Sequence, residues 1–69
     1  MEEDTQVIFT RREKEIIKMI VDGKSSAQIG RKLSVSVNTV EVHRKNIFRK
    51  TNSKNMAELT KKALQHGII

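Results

Sequence analysis

The chain has 69 residues, no cysteine, no proline and a formal net charge of +6 at pH 7. A chain of this length buries only about 60% of the surface its unfolded state exposes, so one small domain is the limit, and without cysteine there is no disulfide, thiolate zinc site or cysteine nucleophile. No apolar run approaches the roughly 18 residues of a membrane span, the start MEEDTQ is acidic where a signal peptide is basic, and a soluble protein of the reducing cytoplasm is expected.

The charge is unevenly placed. Residues 1–36 hold seven basic and six acidic side chains, whereas residues 37–69 hold seven basic ones against only Glu41 and Glu58. That asymmetry predicts a polyanionic partner, nucleic acid before an acidic membrane surface, because clustered Lys and Arg release counterions on contact.

Thr10 with Glu13 three residues on forms a capping box, and Ile16, Ile17, Ile20 and Val21 follow at helical spacing up to the stop at Asp22-Gly23. Glu13 shares a face with Ile16 and Ile20, and capping explains it better than catalysis. Ser25 with Gln28 repeats the box ahead of Ile29, Gly30 and Leu33, a helix of about two turns. Gly30 costs about 1 kcal/mol of helix propensity relative to alanine, which predicts another helix passing close by.

The stretch SVSVNTVEVH at 34–43 resembles an alternating strand, but Val35 and Val37 are odd and Val40 and Val42 even, so the alternation breaks at Asn38-Thr39. A helix capped by Ser36 fits instead. At 100° per residue Val37, Ile47, Phe48 and Thr51 lie within about 80° of Val40 on a core face, with His43 and Arg44 at its rim. Asn38, Val42, Lys45 and Arg49 face the other way, flanked by Glu41 and Asn46. Thr51-Asn52 then ends the helix, because Asn tolerates the left-handed conformation. Ser53 is expected to cap a last helix with Met56, Leu59, Thr60, Ala63 and Leu64 inward, Gly67 at its close and His66 compensating the dipole. The result is an all-α, four-helix helix-turn-helix domain with helices at about 10–22, 26–33, 37–51 and 54–66.

The helix-turn-helix itself occupies 26–45. Its geometry requires apolar packing at Ile29, Leu33, Val35 and Val40 and a small residue at Gly30, and all are present. His43 and Ser34 depart from the usual aliphatic and turn glycine without breaking the packing. In this arrangement the third helix enters the major groove of double-stranded DNA. Lys45 can donate to guanine, Asn38 or Asn46 can pair with adenine, Val42 offers a methyl surface to thymine, and Arg49 shares their face. Glu41 either accepts from cytosine N4 or forms an i,i+4 pair with Lys45. Thr39, Arg44, Lys50 and Lys54 are placed for the phosphate backbone.

FTRREKEII at 9–17, the glycine of VDGKSSAQIG, TVEVHRKNIFRK at 39–50 and the closing ALQHGII together resemble the LuxR-type (NarL/FixJ/GerE) DNA-binding domain over nearly the whole chain. The resemblance implies a four-helix domain at 9–69 whose third helix reads the major groove through Glu41, Val42 and Lys45. It implies backbone contacts at Thr39 and Lys50, and a homodimer on paired half-sites through the fourth helix. It also implies the output half of a response regulator, with MEEDTQVI, residues 1–8, as a linker or disordered segment after a receiver domain. The chain departs from the family at Glu41, where a basic residue is frequent, at Thr51-Asn52, where Leu-Gly is usual, and at Asn55, near a frequent arginine.

Two other readings compete with this one. A sigma-factor promoter-recognition domain has a similar helix-turn-helix but tends to end soon after its recognition helix, whereas a fourth helix follows here. A helical protein-interaction module needs an exposed apolar stripe, and only Val42 is evident. Stacking on single strands needs aromatics, and Phe9 and Phe48 read as core. No nucleophile-base set, phosphate loop or metal-ligand spacing is present, so no enzyme, cofactor or metal is expected.

Overall fold

The computed structural model describes residues 8–69, so the expected linker at 1–8 lies outside the described residues except for Ile8, which is exposed. Four helices follow in order: α1 (Arg11–Val21), α2 (Ser26–Leu33), α3 (Val37–Lys50) and α4 (Met56–Gln65). Among the described residues there is no strand, and no helix is long and apolar enough to cross a membrane.

Each helix begins on a side-chain cap. Thr10 and Glu13 exchange hydrogen bonds at 3.1 and 2.9 Å, Ser25 and Gln28 do so at 3.1 and 2.8 Å, and Ser36 Oγ accepts from the Thr39 amide at 3.1 Å. The cap of α4 is Asn55, whose Oδ1 accepts from the Glu58 amide at 2.9 Å, and not the expected Ser53. The reason lies in how α3 ends. Asn52 takes the left-handed conformation (φ 56°), the Ser53 amide donates back to the Phe48 carbonyl at 2.9 Å and the Ser53 hydroxyl lies 2.7 Å from that of Thr51, so the capping oxygen is engaged at the end of α3 and α4 starts later.

All four helices terminate in this Schellman pattern. A left-handed residue (Gly23, Ser34, Asn52 or Gly67) is followed by an amide that reaches back to Met19, Gly30, Phe48 or Ala63, each at 2.9 to 3.0 Å. Ser34 therefore does what a turn glycine usually does, with a Cβ in the crowded region.

The core is Phe9, Ile16, Ile17, Ile20, Ile29, Val40, Ile47, Leu59, Ala63 and Ile68, with Met19, Val21, Leu33 and Phe48 packed around it. Four expected packing positions are corrected. Val35, in the turn, is 36% exposed, Val37 47%, Met56 39% and Leu64 61%. Helical side chains lean toward the N-terminus, so Val37 and Met56, at the first positions of their helices, project past the edge of the core. Leu64 lies about 100° round from buried Ala63, and Ile68, beyond the helix, fills the space instead.

Gly30 is also corrected in detail. What approaches it is the α2–α3 turn and not a neighbouring helix: a Cβ placed there would meet the Val35 carbonyl oxygen at 2.7 Å. The same oxygen-bearing turn is held by the Val35 amide donating to the Gly30 carbonyl at 2.9 Å, so the angle between α2 and α3 depends on the missing side chain.

Gly30→Ala should therefore destabilise the fold by about 1–3 kcal/mol, because the clash outweighs the helix-propensity gain, and Ser34→Gly should stabilise it by up to about 1 kcal/mol by relieving the left-handed strain. Urea unfolding of both variants checks the pair; a Gly30→Ala protein as stable as the parent would contradict the close approach.

Candidate nucleic-acid interface

α3 is built as a two-sided helix. Val40, Ile47 and Thr51 at its end are buried, and Thr51 Oγ1 donates to the Ile47 carbonyl at 2.9 Å, which keeps its hydroxyl satisfied inside the core. The opposite side carries Asn38, Glu41, Val42, Lys45, Asn46 and Arg49, every one of them exposed. Val42 alone is 57% exposed. The expected base-reading set thus forms one continuous outward surface. His43 and Arg44 are half-buried at the rim, as their positions on the helix predicted.

Glu41 is held by a partner that neither expected reading supplied. Ser26 Oγ donates to Glu41 Oε2, and no Glu41–Lys45 ion pair forms among the described residues. The i,i+4 pairing is therefore corrected. Ser26 is the first residue of α2, so the carboxylate also lies at a helix N-terminus, where a negative charge is favoured. The bond joins residues 15 apart in the chain, and no local pattern in the sequence announces it.

The expected backbone-contact residues divide into two groups. Thr39 stands in the first turn of α3 with its hydroxyl 3.0 Å from that of Ser36, and Arg44 lies on the rim. Lys50 turns toward α1: its Nζ donates to Glu13 Oε1 at 2.8 Å and sits 5.4 Å from the centroid of the Phe9 ring. That ring meets His66 edge-on at 5.4 Å, so His66 packs against Phe9 in addition to ending α4. Lys54 is placed apart from the outward face, in a shallow groove along α4 with Asn52, Glu58, Lys61, Lys62 and Gln65. Its amide donates to Glu58 Oε1 at 2.7 Å. Lys62, unmarked by the sequence pattern, donates to the Thr51 carbonyl at 2.8 Å and ties α4 to the end of α3.

Comparison with known proteins places residues 7–63 in a family described as bacterial regulatory proteins, luxR family. The chain is 43% identical over 61 residues to the regulatory protein SdiA of Escherichia coli, covering 88% of this chain and 25% of that protein. It is 44% identical over 60 residues to the uncharacterized response regulatory protein YgeK of Escherichia coli, covering 87% of this chain and 41% of that protein. With the oxygen regulatory protein NreC of Staphylococcus carnosus it shares 40% over 62 residues, 90% of this chain and 29% of that one. The chain thus spans from 25% to 41% of the length of these curated relatives.

The junction of α1 and α3 carries a pH dependence. Partial burial pushes the Glu13 carboxyl up, but hydrogen bonds from Lys50 and the Thr10 backbone, with the charge of Lys50, outweigh it and hold the group below its ordinary value of 4.5. A carboxyl whose folded value is depressed stabilises the fold above its unfolded value and loses that contribution as pH falls through the folded one. Glu13→Gln should therefore be less stable than the parent at neutral pH and converge with it on acidification below 4.5. Urea midpoints followed from neutral pH downward test this, and parallel curves would remove the ion pair from the account of stability.

Proposed function

Because the chain belongs to the luxR family of bacterial regulatory proteins, a family of transcriptional regulators, we propose that α3 enters the major groove and reads base edges with Asn38, Glu41, Val42, Lys45, Asn46 and Arg49. The observation that carries this reading is the outward face of α3. Amides, cations and one methyl-bearing side chain stand exposed together, while Val40 and Ile47 anchor the helix from behind. These are the groups that distinguish base pairs in the major groove. Thr39, Arg44, Lys50 and Lys54 take the phosphates, which position the domain without specifying sequence. For Lys50 the reading has a structural condition. An ammonium has three donors, so the bond to Glu13 leaves two for a phosphate oxygen.

Two further elements of the reading concern the longer protein. The exposed Met56 and Leu64 on α4 support association of two copies through that helix, with each copy on one half-site. A receiver domain ahead of the chain is supported by the similarity to proteins named as response regulatory and oxygen regulatory proteins, in which the matched segment is a minor part of the length.

Lys45→Ala should weaken binding to the selected site by about 1–3 kcal/mol and relax preference at one position, whereas Lys50→Ala should weaken all duplexes alike and reduce the salt slope by less than about one, because Glu13 already offsets part of its charge. Titrations of specific and random duplexes over a range of salt separate the two. Equal losses on both duplexes for both variants would contradict the assignment.

A further inference from the structure

Glu41 presents a problem that the duplex-reading surface does not solve by itself. A carboxylate brought against DNA is repelled by phosphates and has one complementary base group in the major groove, the amino group of cytosine. A free glutamate side chain would also lose rotamer freedom on settling there. Here the loss is incurred on folding, because Ser26 Oγ donates to Oε2, while among the described residues Oε1 accepts no hydrogen bond. The tether comes from α2, outside the recognition helix. Ser26 is half-buried at the start of α2, one turn ahead of Gly30, where the Val35 carbonyl closes on the helix.

We infer that Ser26 is a positioning residue for base recognition: it holds one oxygen of Glu41 so that the other is presented as a single acceptor, selecting cytosine at one position of each half-site. The inference rests on the duplex-reading assignment above. Ser26 touches no base in this arrangement. Its effect is exerted through the orientation of Glu41, and a change on α2 therefore alters the sequence preference of α3.

The chain and its Ser26→Ala, Ser26→Thr and Glu41→Gln variants are each used to select bound sequences from random duplexes, with thermal unfolding as the check on folding. The parent is expected to prefer cytosine at one position per half-site. Ser26→Ala should reduce that preference about fivefold or more, the size of one lost discriminating contact, with the other positions unchanged. Ser26→Thr, which keeps the hydroxyl, should restore it. Glu41→Gln should move the preference at the same position toward adenine, which pairs with a carboxamide. Ser26→Ala selecting the same sequences as the parent, or relaxing every position equally, would overturn the positioning role while leaving DNA reading in place. A parent that selects no sequence at all would overturn the reading on which the inference rests, and the inference with it.

Discussion

The close approach of the Val35 carbonyl to the bare α-carbon of Gly30, where a Cβ would sit 2.7 Å from that oxygen, fixes how α3 leaves α2. A Schellman closure with Ser34 in the left-handed region delivers the chain into the Ser36 cap with no residue to spare. The short turn ties the direction of α3 to that of α2, and its buried side is set by where Val40 and Ile47 must go. The outward side follows as the remainder. Whatever α3 presents to a partner is thus set by a backbone contact on the other helix of the pair.

The hydrophobic hold on α3 is modest. Only Val40 and Ile47 within it are fully enclosed, with Thr51 just beyond, since half its surface is reserved for polar and charged groups. Polar ties along its length supplement that hold. Glu41 is bound to Ser26 near the start of α2, Lys50 to Glu13 in the cap of α1, and the Thr51 carbonyl to Lys62 of α4. Each neighbouring helix contributes one. A single bond of this kind near the surface adds little stability alone, but three of them from three helices oppose rotation and sliding of α3, which is what a surface that must match base edges requires.

Local chemistry made much of this legible in the sequence. Thr10, Ser25 and Ser36 cap the helices they were expected to cap, Gly23, Asn52 and Gly67 end them, and the break in valine parity turned an apparent strand into α3. These features depend on residues three or four apart. The errors fall where the outcome depends on the third dimension. Ser53 had the chemistry of a cap, but its hydroxyl is engaged with Thr51 at the end of α3, and Leu64 had the spacing of a core residue but not the neighbour to cover it. The ties between Ser26 and Glu41 and between Glu13 and Lys50 join residues 15 and 37 apart. Neither has a periodicity, because crossing angles and not spacing bring them together.

Glu13 shows how one group can serve folding and electrostatics at once. Its Oε1 accepts from the Thr10 amide and from Lys50, so the cap that starts α1 also anchors the end of α3. The same carboxylate offsets the charge of Lys50. Counterion release scales with the cationic charge brought to phosphates, and a lysine already paired contributes position more than net charge. On the proposed reading the α3 cations that have no acidic partner among the described residues, Arg44, Lys45 and Arg49, then supply most of the attraction at α3. The asymmetry of charge along the chain overstates the driving force from Lys50 and understates its role in orienting the helix that carries the others.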